Sequence, residues 1–280
     1  MSFPSRRLAF RILLSFLIVT CGARQFINHN YENVFLCVLS FLLLGIPAFF
    51  ERKLEISIPN TLAIIIMLFV FCAEILGEIN AFYLKFPLWD TLLHTTNGFL
   101  MAAIGFSLVD LFNRSDRFLV QLSPLFIAIM AFCFSMTIGV LWEFCECASD
   151  LFLHTDAQKD FFVTSIHSVA LNPDGVNVPA HVEIQSLLVN GEDWMEKYGG
   201  YLDIGLLDTM KDLFVNFIGA VVFSVIGYVY VKRRGQTTFA RRFIPTVFRG
   251  DHLDSFGNPL PEDPDGKMLQ KRDANFRPKK

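Results

Sequence analysis

The sequence lacks the short motifs that mark many soluble enzymes. It contains no internal repeat, glycine-rich phosphate loop, dinucleotide-binding fingerprint or nucleophile elbow. Charged residues are also scarce, at 18% of the 280 residues, whereas 53% of the residues are hydrophobic and 31 are phenylalanine. This composition excludes an ordinary soluble domain and indicates a protein that crosses a membrane several times.

Cysteine is sparse as well. Six cysteines occur, most of them in apolar stretches, where a thiol usually behaves as a small buried hydrophobic group. Cys145 and Cys147 resemble half of a metal-binding motif, but two residues apart on a helix they point to different sides. We therefore expect neither a disulfide nor a metal site at this pair.

Long apolar runs predict an all-α polytopic membrane protein with about six transmembrane helices. The predicted spans are residues 8–22, 34–50, 62–79, 89–112, 118–147 and 207–231. In the outer loop 151–205, residues 161–171 and 176–189 flank a turn at 172–175 and predict a β-hairpin. We expect a transmembrane helical domain, residues 1–231, followed by a basic and partly disordered tail, residues 232–280.

The distribution of lysine and arginine predicts the orientation in the membrane. Six spans place both termini on one side, and that side collects most of the basic residues in the short loops and chain ends. The positive-inside bias therefore predicts cytoplasmic termini and an extracytoplasmic loop 151–205. The basic residues on the predicted inner side are Arg6, Arg7, Arg11, Arg52, Lys53, Arg114, Arg117, Lys232, Arg233, Arg234, Arg241 and Arg242.

Polar residues gather near the predicted outer ends of four spans, at helical spacings that put the members of each set on one face. Helix capping explains Asp90 and Asp208, because a carboxylate is favoured at a helix N-terminus. It does not explain Glu74 or Glu143, which lie near C-termini. Ionisable groups inside a membrane are usually functional, so we expect an outward-opening site. Its candidates are Glu74, Glu78, Asp90, His94, Glu143, Glu146, Asp150, Asp208, Asp212 and Asn216.

So many carboxylates in one place repel one another unless they are protonated, paired or bridged by a cation. A divalent cation is one solution: oxygen ligands suit Mg, Ca or Mn, and a histidine ligand leaves Zn open. The hypothetical ligands are Asp90, His94, Glu143 and Asp212, with Glu143 or His94 as the candidate general base of an enzyme. Two alternatives stay open: a proton- or cation-coupled transporter, and a non-catalytic sensor of an extracellular ligand.

Four stretches carry a resemblance to a known family. They are Gly77-Glu78, the run Trp89 to His94, Trp142 to Phe144 with Glu146 and Asp150, and the run Gly205 to Leu213 with Asn216 and Gly219. Over about residues 62–228 the chain resembles the YjdF-like family of uncharacterised bacterial inner-membrane proteins. More distantly, the Asp-x-x-x-His and Asp-x-x-x-Asn-x-x-Gly patterns look like the VanZ-like membrane proteins, which are linked to glycopeptide-antibiotic tolerance.

The resemblance implies a multi-pass protein of the bacterial inner membrane and supplies no reaction. The bilayer is the expected partner, and the enzyme hypothesis adds an envelope lipid or cell-wall precursor as substrate. The charge pattern argues for membrane topology and gives no reason to expect a nucleic-acid partner. The oligomeric state is not predicted.

Overall fold

The structure is a computed structural model, and it describes residues 6–54, 56–113, 122–233 and 237–247. Within these ranges, six helical segments are long and apolar enough to cross a bilayer: Arg6–Ile27, Tyr31–Lys53, Asn60–Ile79, Trp89–Asp110, Pro124–Leu153 and Leu206–Lys232. The prediction of an all-α membrane protein with six spans is confirmed. Arg114, Arg117, Arg234, residues 118–121 of the predicted fifth span and residues 248–280 of the predicted tail lie outside the described ranges.

The described helices are α1 (Arg6–Ile27), α2 (Tyr31–Leu43), α3 (Ile46–Leu54), α4 (Asn60–Val70), a π-helix (Phe71–Ile79), α5 (Phe82–Lys85), α6 (Trp89–Asn113), α7 (Pro124–Leu153), α8 (Trp194–Tyr198), α9 (Leu206–Lys232) and α10 (Thr238–Arg241). The described strands are β1 (Ile56–Ser57), β2 (Phe162–Val163), β3 (Ser165–Ser168), β4 (Ala180–Glu183), β5 (Leu188–Val189), β6 (Glu192–Asp193), β7 (Tyr201–Leu202) and β8 (Thr246–Val247). The second span is broken between α2 and α3, next to Gly45 and Pro47.

The chain divides into two compact units, and the first comprises Met1–Met136 and Asn216–Lys280. Its core is apolar: Leu62, Leu100, Phe106, Ile127 and Phe223 are each at most 1% exposed. The ring of Phe106 packs edge-on against that of Phe223, with centroids 6.1 Å apart. The first unit is therefore built from spans that bury large side chains against one another.

Two glycines set the closest approach of α6 and α9 in the first unit. A Cβ added at Gly98 would collide with the backbone carbonyl oxygen of Asn216, and one added at Gly219 would collide with that of Thr95. Small residues at a crossing let helix backbones come close together in a membrane. Gly98 and Gly219 thus determine how the helices that carry Asn97 and Asn216 meet.

A π-helix continues the third span after α4, where the sequence predicts an ordinary helix. Its end is fastened by Asn80, whose backbone N–H and side-chain Nδ2 both donate to the carbonyl oxygen of Ile75, at 3.1 and 2.6 Å. Ala81 follows with a φ of 56° and turns the chain into α5. The π-helix carries Glu74 and Glu78, and π-helical turns often occur at functional sites.

Residues 237–247 fold back onto the first unit after α9. β8 pairs antiparallel with β1, so that Ile56 lies opposite Val247. Ala240, Phe243 and Ile244 are buried in the same core as the spans, and the Phe243 ring packs against Phe99 with centroids 5.1 Å apart. This part of the predicted tail is ordered, while the division of the chain at residue 231 stays a prediction.

The second unit comprises Thr137–Val215. Its central hairpin pairs β3 with β4 antiparallel, from Ser165 opposite Glu183 to Ser168 opposite Ala180, so the predicted β-hairpin is present with shorter strands. β2 pairs with β7, and β5 pairs with β6. Helix α8 begins at the cap Asp193, whose side chain accepts from Met195 N–H at 2.9 Å, and it ends at Gly199, which has a φ of 80°.

Candidate functional site

The first unit places Asp90 and His94 side by side on α6. They are one helical turn apart, and His94 Nε2 lies 3.4 Å from Asp90 Oδ1. Their side chains are 12% exposed for His94 and 24% exposed for Asp90. A carboxylate beside one ring nitrogen fixes the orientation of an imidazole, which is the usual arrangement around a metal-binding or proton-transferring histidine.

One turn further along α6, Asn97 extends the polar face into the interior of the first unit. Its Nδ2 donates to Oδ1 of Asn216 at 3.2 Å, and Asn216 is only 1% exposed. Next to this pair, Ser135 Oγ donates to the carbonyl oxygen of Gly98 at 2.8 Å. These contacts satisfy polar groups within the apolar core, and Asn216 therefore has a structural explanation.

Glu74 and Glu78 lie on the π-helix of the same unit. The Glu74 side chain is half-buried and that of Glu78 is exposed. Between them, Gly77 lies against the ring of Tyr83, where an added Cβ would collide. The pair keeps its place near the end of the third span, as the sequence predicts.

In the second unit, Glu143 and Glu146 lie on one face of α7 and differ in exposure. Glu143 is 4% exposed, and Glu146 is partly exposed. Glu146 Oε1 accepts a hydrogen bond from the indole nitrogen of Trp142 at 2.8 Å. Glu143 is therefore a buried carboxylate within a helix that crosses the membrane, which is the environment where an acidic side chain is most costly.

Three aspartates of the second unit hold the loop that follows α7. Asp150 accepts from the backbone N–H groups of Ala157 and Gln158, at 2.6 and 2.8 Å, and from Thr155 Oγ1 at 2.7 Å. Asp203 accepts from Phe161 N–H and Leu207 N–H, both at 2.8 Å.

Asp208, the third, accepts from Lys159 N–H at 2.9 Å. Asp150 and Asp203 each accept backbone hydrogen bonds with both carboxylate oxygens. The sequence assigns Asp150 and Asp208 to a ligand pocket, and their hydrogen bonds supply a structural role that spacing alone does not reveal.

Lys211 is the cation that sequence reasoning missed in this unit. Its Nζ lies 2.9 Å from Asp208 Oδ1 and 3.5 Å from Asp212 Oδ1. Asp212 is 1% exposed, whereas the Lys211 side chain is 35% exposed and lies over the ring of Phe161. One signal was available: Lys211 stands three residues after Asp208, a spacing at which opposite charges meet on a helix.

The loop also contains a carboxyl group with a perturbed pKa. Loss of hydration at the carboxyl, together with the nearby charges of Asp156 and Asp203, raises the pKa of Asp160 above its ordinary value, although the side chain is exposed. A hydrogen bond from the backbone N–H of Gly205 acts in the opposite direction. Asp160 thus belongs to an acidic surface whose charge costs free energy at neutral pH.

The membrane-type composition and the spans agree with what comparison with known proteins finds. A family model described as "Predicted membrane protein (DUF2238)" matches residues 9–233, which is most of the chain. The chain belongs to the DUF2238 family. The description of DUF2238 gives a membrane location and no reaction.

An uncharacterised protein of Thermotoga maritima is 27% identical to this DUF2238 chain over 107 residues. The match covers 38% of this chain and 53% of the relative, so it spans about half of the relative's length. No solved structure matches the chain. Membership of an uncharacterised membrane-protein family is thereby confirmed, while the YjdF-like name and the VanZ-like relationship stay predictions.

Proposed function

We propose that this protein binds a divalent cation through carboxylates in its spans and uses it to act on an envelope lipid or cell-wall precursor. The candidate groups are the Asp90–His94 pair in the first unit and Glu143 and Asp212 in the second. The proposal includes a bacterial inner-membrane location with cytoplasmic termini and an extracytoplasmic loop, because lysine and arginine concentrate on one predicted side.

The observation that carries the proposal is the burial of Glu143 and Asp212. These carboxylates are 4% and 1% exposed and lie on helices of membrane-spanning length. A buried carboxylate is costly unless it is protonated, paired or bound to a metal ion. Loop fastening accounts for Asp150 and Asp208.

Charge balance in the second unit points the same way. Lys211 lies near both Asp208 and Asp212, so one ammonium group serves two carboxylates. This group of three retains a net negative charge, and Glu143 and Glu146 on α7 add to the negative charge of the unit. A divalent cation would offset that charge through oxygen ligands.

The Asp90–His94 pair supplies the acid–base chemistry of the proposed reaction. Asp90 beside Nε2 orients the imidazole of His94. A bound cation would polarise a substrate oxygen or lower the pKa of a bound water. His94 or Glu143 would then act as general base.

Elemental mass spectrometry of the purified protein tests the metal site. We expect a near-stoichiometric divalent metal in the wild type and its loss in Glu143→Gln, Asp212→Asn and His94→Ala. Glu196→Gln, which changes an exposed glutamate on α8, is the matched control and should keep the metal. Size-exclusion profiles establish that each variant remains folded.

Retention of the metal in all three variants would contradict the proposal. Turnover is tested with an extract of envelope lipids, for which Glu143→Gln should give no product.

Ion or proton transport is the second candidate, and the polar face of α6 favours it. Half-buried polar side chains share one face of α6 from Asp90 through His94 to Asn97. Asp110, near the other end and on a different face of the helix, is only 5% exposed. Twenty residues of helix cover about 30 Å, the thickness of a bilayer core. Transport predicts a proton or cation flux in proteoliposomes that Asp110→Asn abolishes, and the absence of flux would exclude this candidate.

A further inference from the structure

An apolar groove lies beside the start of α6 in the first unit. It has a volume of about 370 Å³ and is lined by Phe82, Phe86, Leu88, Trp89 and Leu92. The rings of Phe82 and Phe86 lie 4.7 Å apart, and that of Trp89 meets Phe82 edge-on at 4.9 Å. We call this site the aromatic groove; its walls are held by ring packing.

The lining of the aromatic groove suits hydrocarbon. All five side chains are apolar except at the indole nitrogen of Trp89, and this nitrogen is buried without a hydrogen-bond partner among the described residues. A water-soluble ligand needs a few polar groups to fix its orientation, and the groove offers none at its surface. A chain of methylene groups needs only apolar contact.

The position of the aromatic groove identifies the source of such a chain. Trp89 begins a membrane span, and tryptophan is enriched at the boundary between headgroups and hydrocarbon. Phe86, Leu88 and Leu92 are 50%, 74% and 57% exposed, so the groove opens onto the surface that lipid covers in a membrane.

The Asp90–His94 pair is close to the groove in sequence but lies on another face of α6. Asp90 is about 100° around the helix axis from Trp89 and about 200° from Leu92, so the groove does not open onto the pair.

We propose that the aromatic groove is the binding site for one hydrocarbon chain of an envelope lipid. Its use as a substrate subsite rests on the proposed function, whereas chain binding itself does not. Surrounding lipid that exchanges freely along the spans would bind without saturation. A built site should bind about one lipid per chain and show a preference over detergent.

Fluorescence quenching by a phospholipid with brominated chains tests this proposal in detergent solution. The sequence has three tryptophans, which allows a matched pair of single-tryptophan proteins. One retains only Trp89, in the groove; the other retains only Trp142, which is 52% exposed on α7 outside the groove lining. We expect saturable quenching of Trp89 near one lipid per chain and weak, unsaturated quenching of Trp142.

A groove variant sharpens the test. Leu88→Gln changes an exposed wall residue to a polar one of similar length, and it should weaken the saturable binding by roughly tenfold. Quenching of Trp89 and Trp142 with the same lipid dependence, or no quenching of Trp89, would overturn the proposal. Protection of Trp89 together with a dimeric mass would assign the groove to a second copy of the chain and also overturn it.

Metal analysis of Leu88→Gln separates this inference from the proposed function. The variant should keep its bound metal, because Leu88 has no ligand atom. If the wild type holds no metal but binds lipid at the groove, the chain-binding site stands and the metal-dependent reaction falls. If metal is bound and saturable quenching is absent, the chain-binding site falls and the metal-dependent reaction stands.

Discussion

The two units use polar side chains near the ends of their spans in different ways. In the first unit, Asn97 and Asn216 bond to each other across a close helix crossing set by Gly98 and Gly219. In the second unit, Asp150 and Asp203 accept hydrogen bonds from backbone N–H groups of the loop that follows α7. The asparagine pair forms only if α6 and α9 approach closely. The aspartates hold the loop by accepting hydrogen bonds from its backbone N–H groups.

The largest expected effect comes from adding volume at the crossing in the first unit. Gly98→Ala should destabilise the protein by roughly 3 kcal/mol, because the new methyl group meets backbone rather than a side chain that can move. Thermal unfolding in detergent measures this change. The matched control is Gly22→Ala on α1, where the added Cβ would lie 3.3 Å from the Cβ of Cys37. Equal stabilities for the two variants would contradict the close crossing.

A smaller and more local effect is expected in the second unit. Asp150→Ala removes the acceptor for Thr155, Ala157 and Gln158, and should lower the free energy of opening residues 155–161 by about 2 kcal/mol. Amide hydrogen exchange of these residues measures it. Asp174→Ala, at an exposed position in the turn of the hairpin, is the control. Unchanged exchange of residues 155–161 in Asp150→Ala would show that Asp150 does not stabilise this loop.

The smallest effect concerns pH. The pKa of Asp160 is raised in the folded loop by loss of hydration and by the charges of Asp156 and Asp203, so the folded state binds a proton more tightly than the unfolded state. The stability that this proton contributes is fully present below the unfolded pKa and is lost as pH rises through the folded pKa. After division by the intrinsic exchange rate at each pH, the protection of the loop amides should rise on acidification across this window.

Asp160→Asn is the variant that checks the pH effect. It keeps an acceptor for Gly205 and removes the charge, so it should slow loop exchange at neutral pH and flatten the pH dependence. Asp174→Asn in the exposed hairpin turn should leave both unchanged. Protection factors that fall on acidification in the wild type would reverse the assigned sign.

The spans were predictable because their apolar runs are long enough to cross a bilayer whatever the tertiary contacts are. The π-helix was not, since the residues from Phe71 to Ile79 have the composition of an ordinary helix. The hairpin was predicted from its turn, but its strands are shorter because only four residues on each side pair.

The sequence predicts which candidate residues share a helix face, but it does not predict what each of them contacts. Spacing puts Asp90 beside His94, and the structure has the same pairing. The roles of Asp150 and Asp208 depend on a loop that returns to them, which no local pattern reports. The spacing of Lys211 from Asp208 indicates one of its contacts, whereas its proximity to Asp212 follows from the structure.

The pairing of β8 with β1 has a consequence for biosynthesis. Ala240, Phe243 and Ile244 follow the sixth span in the chain, and they complete a core that the earlier spans begin. A ribosome releases them after all six spans, so the bundle that inserts first holds an unfilled apolar space until these residues emerge. The core of the first unit is therefore completed only after the sixth span has been made. A reporter protein fused at residue 236, in place of the residues that follow, would trap the intermediate that lacks Ala240, Phe243 and Ile244.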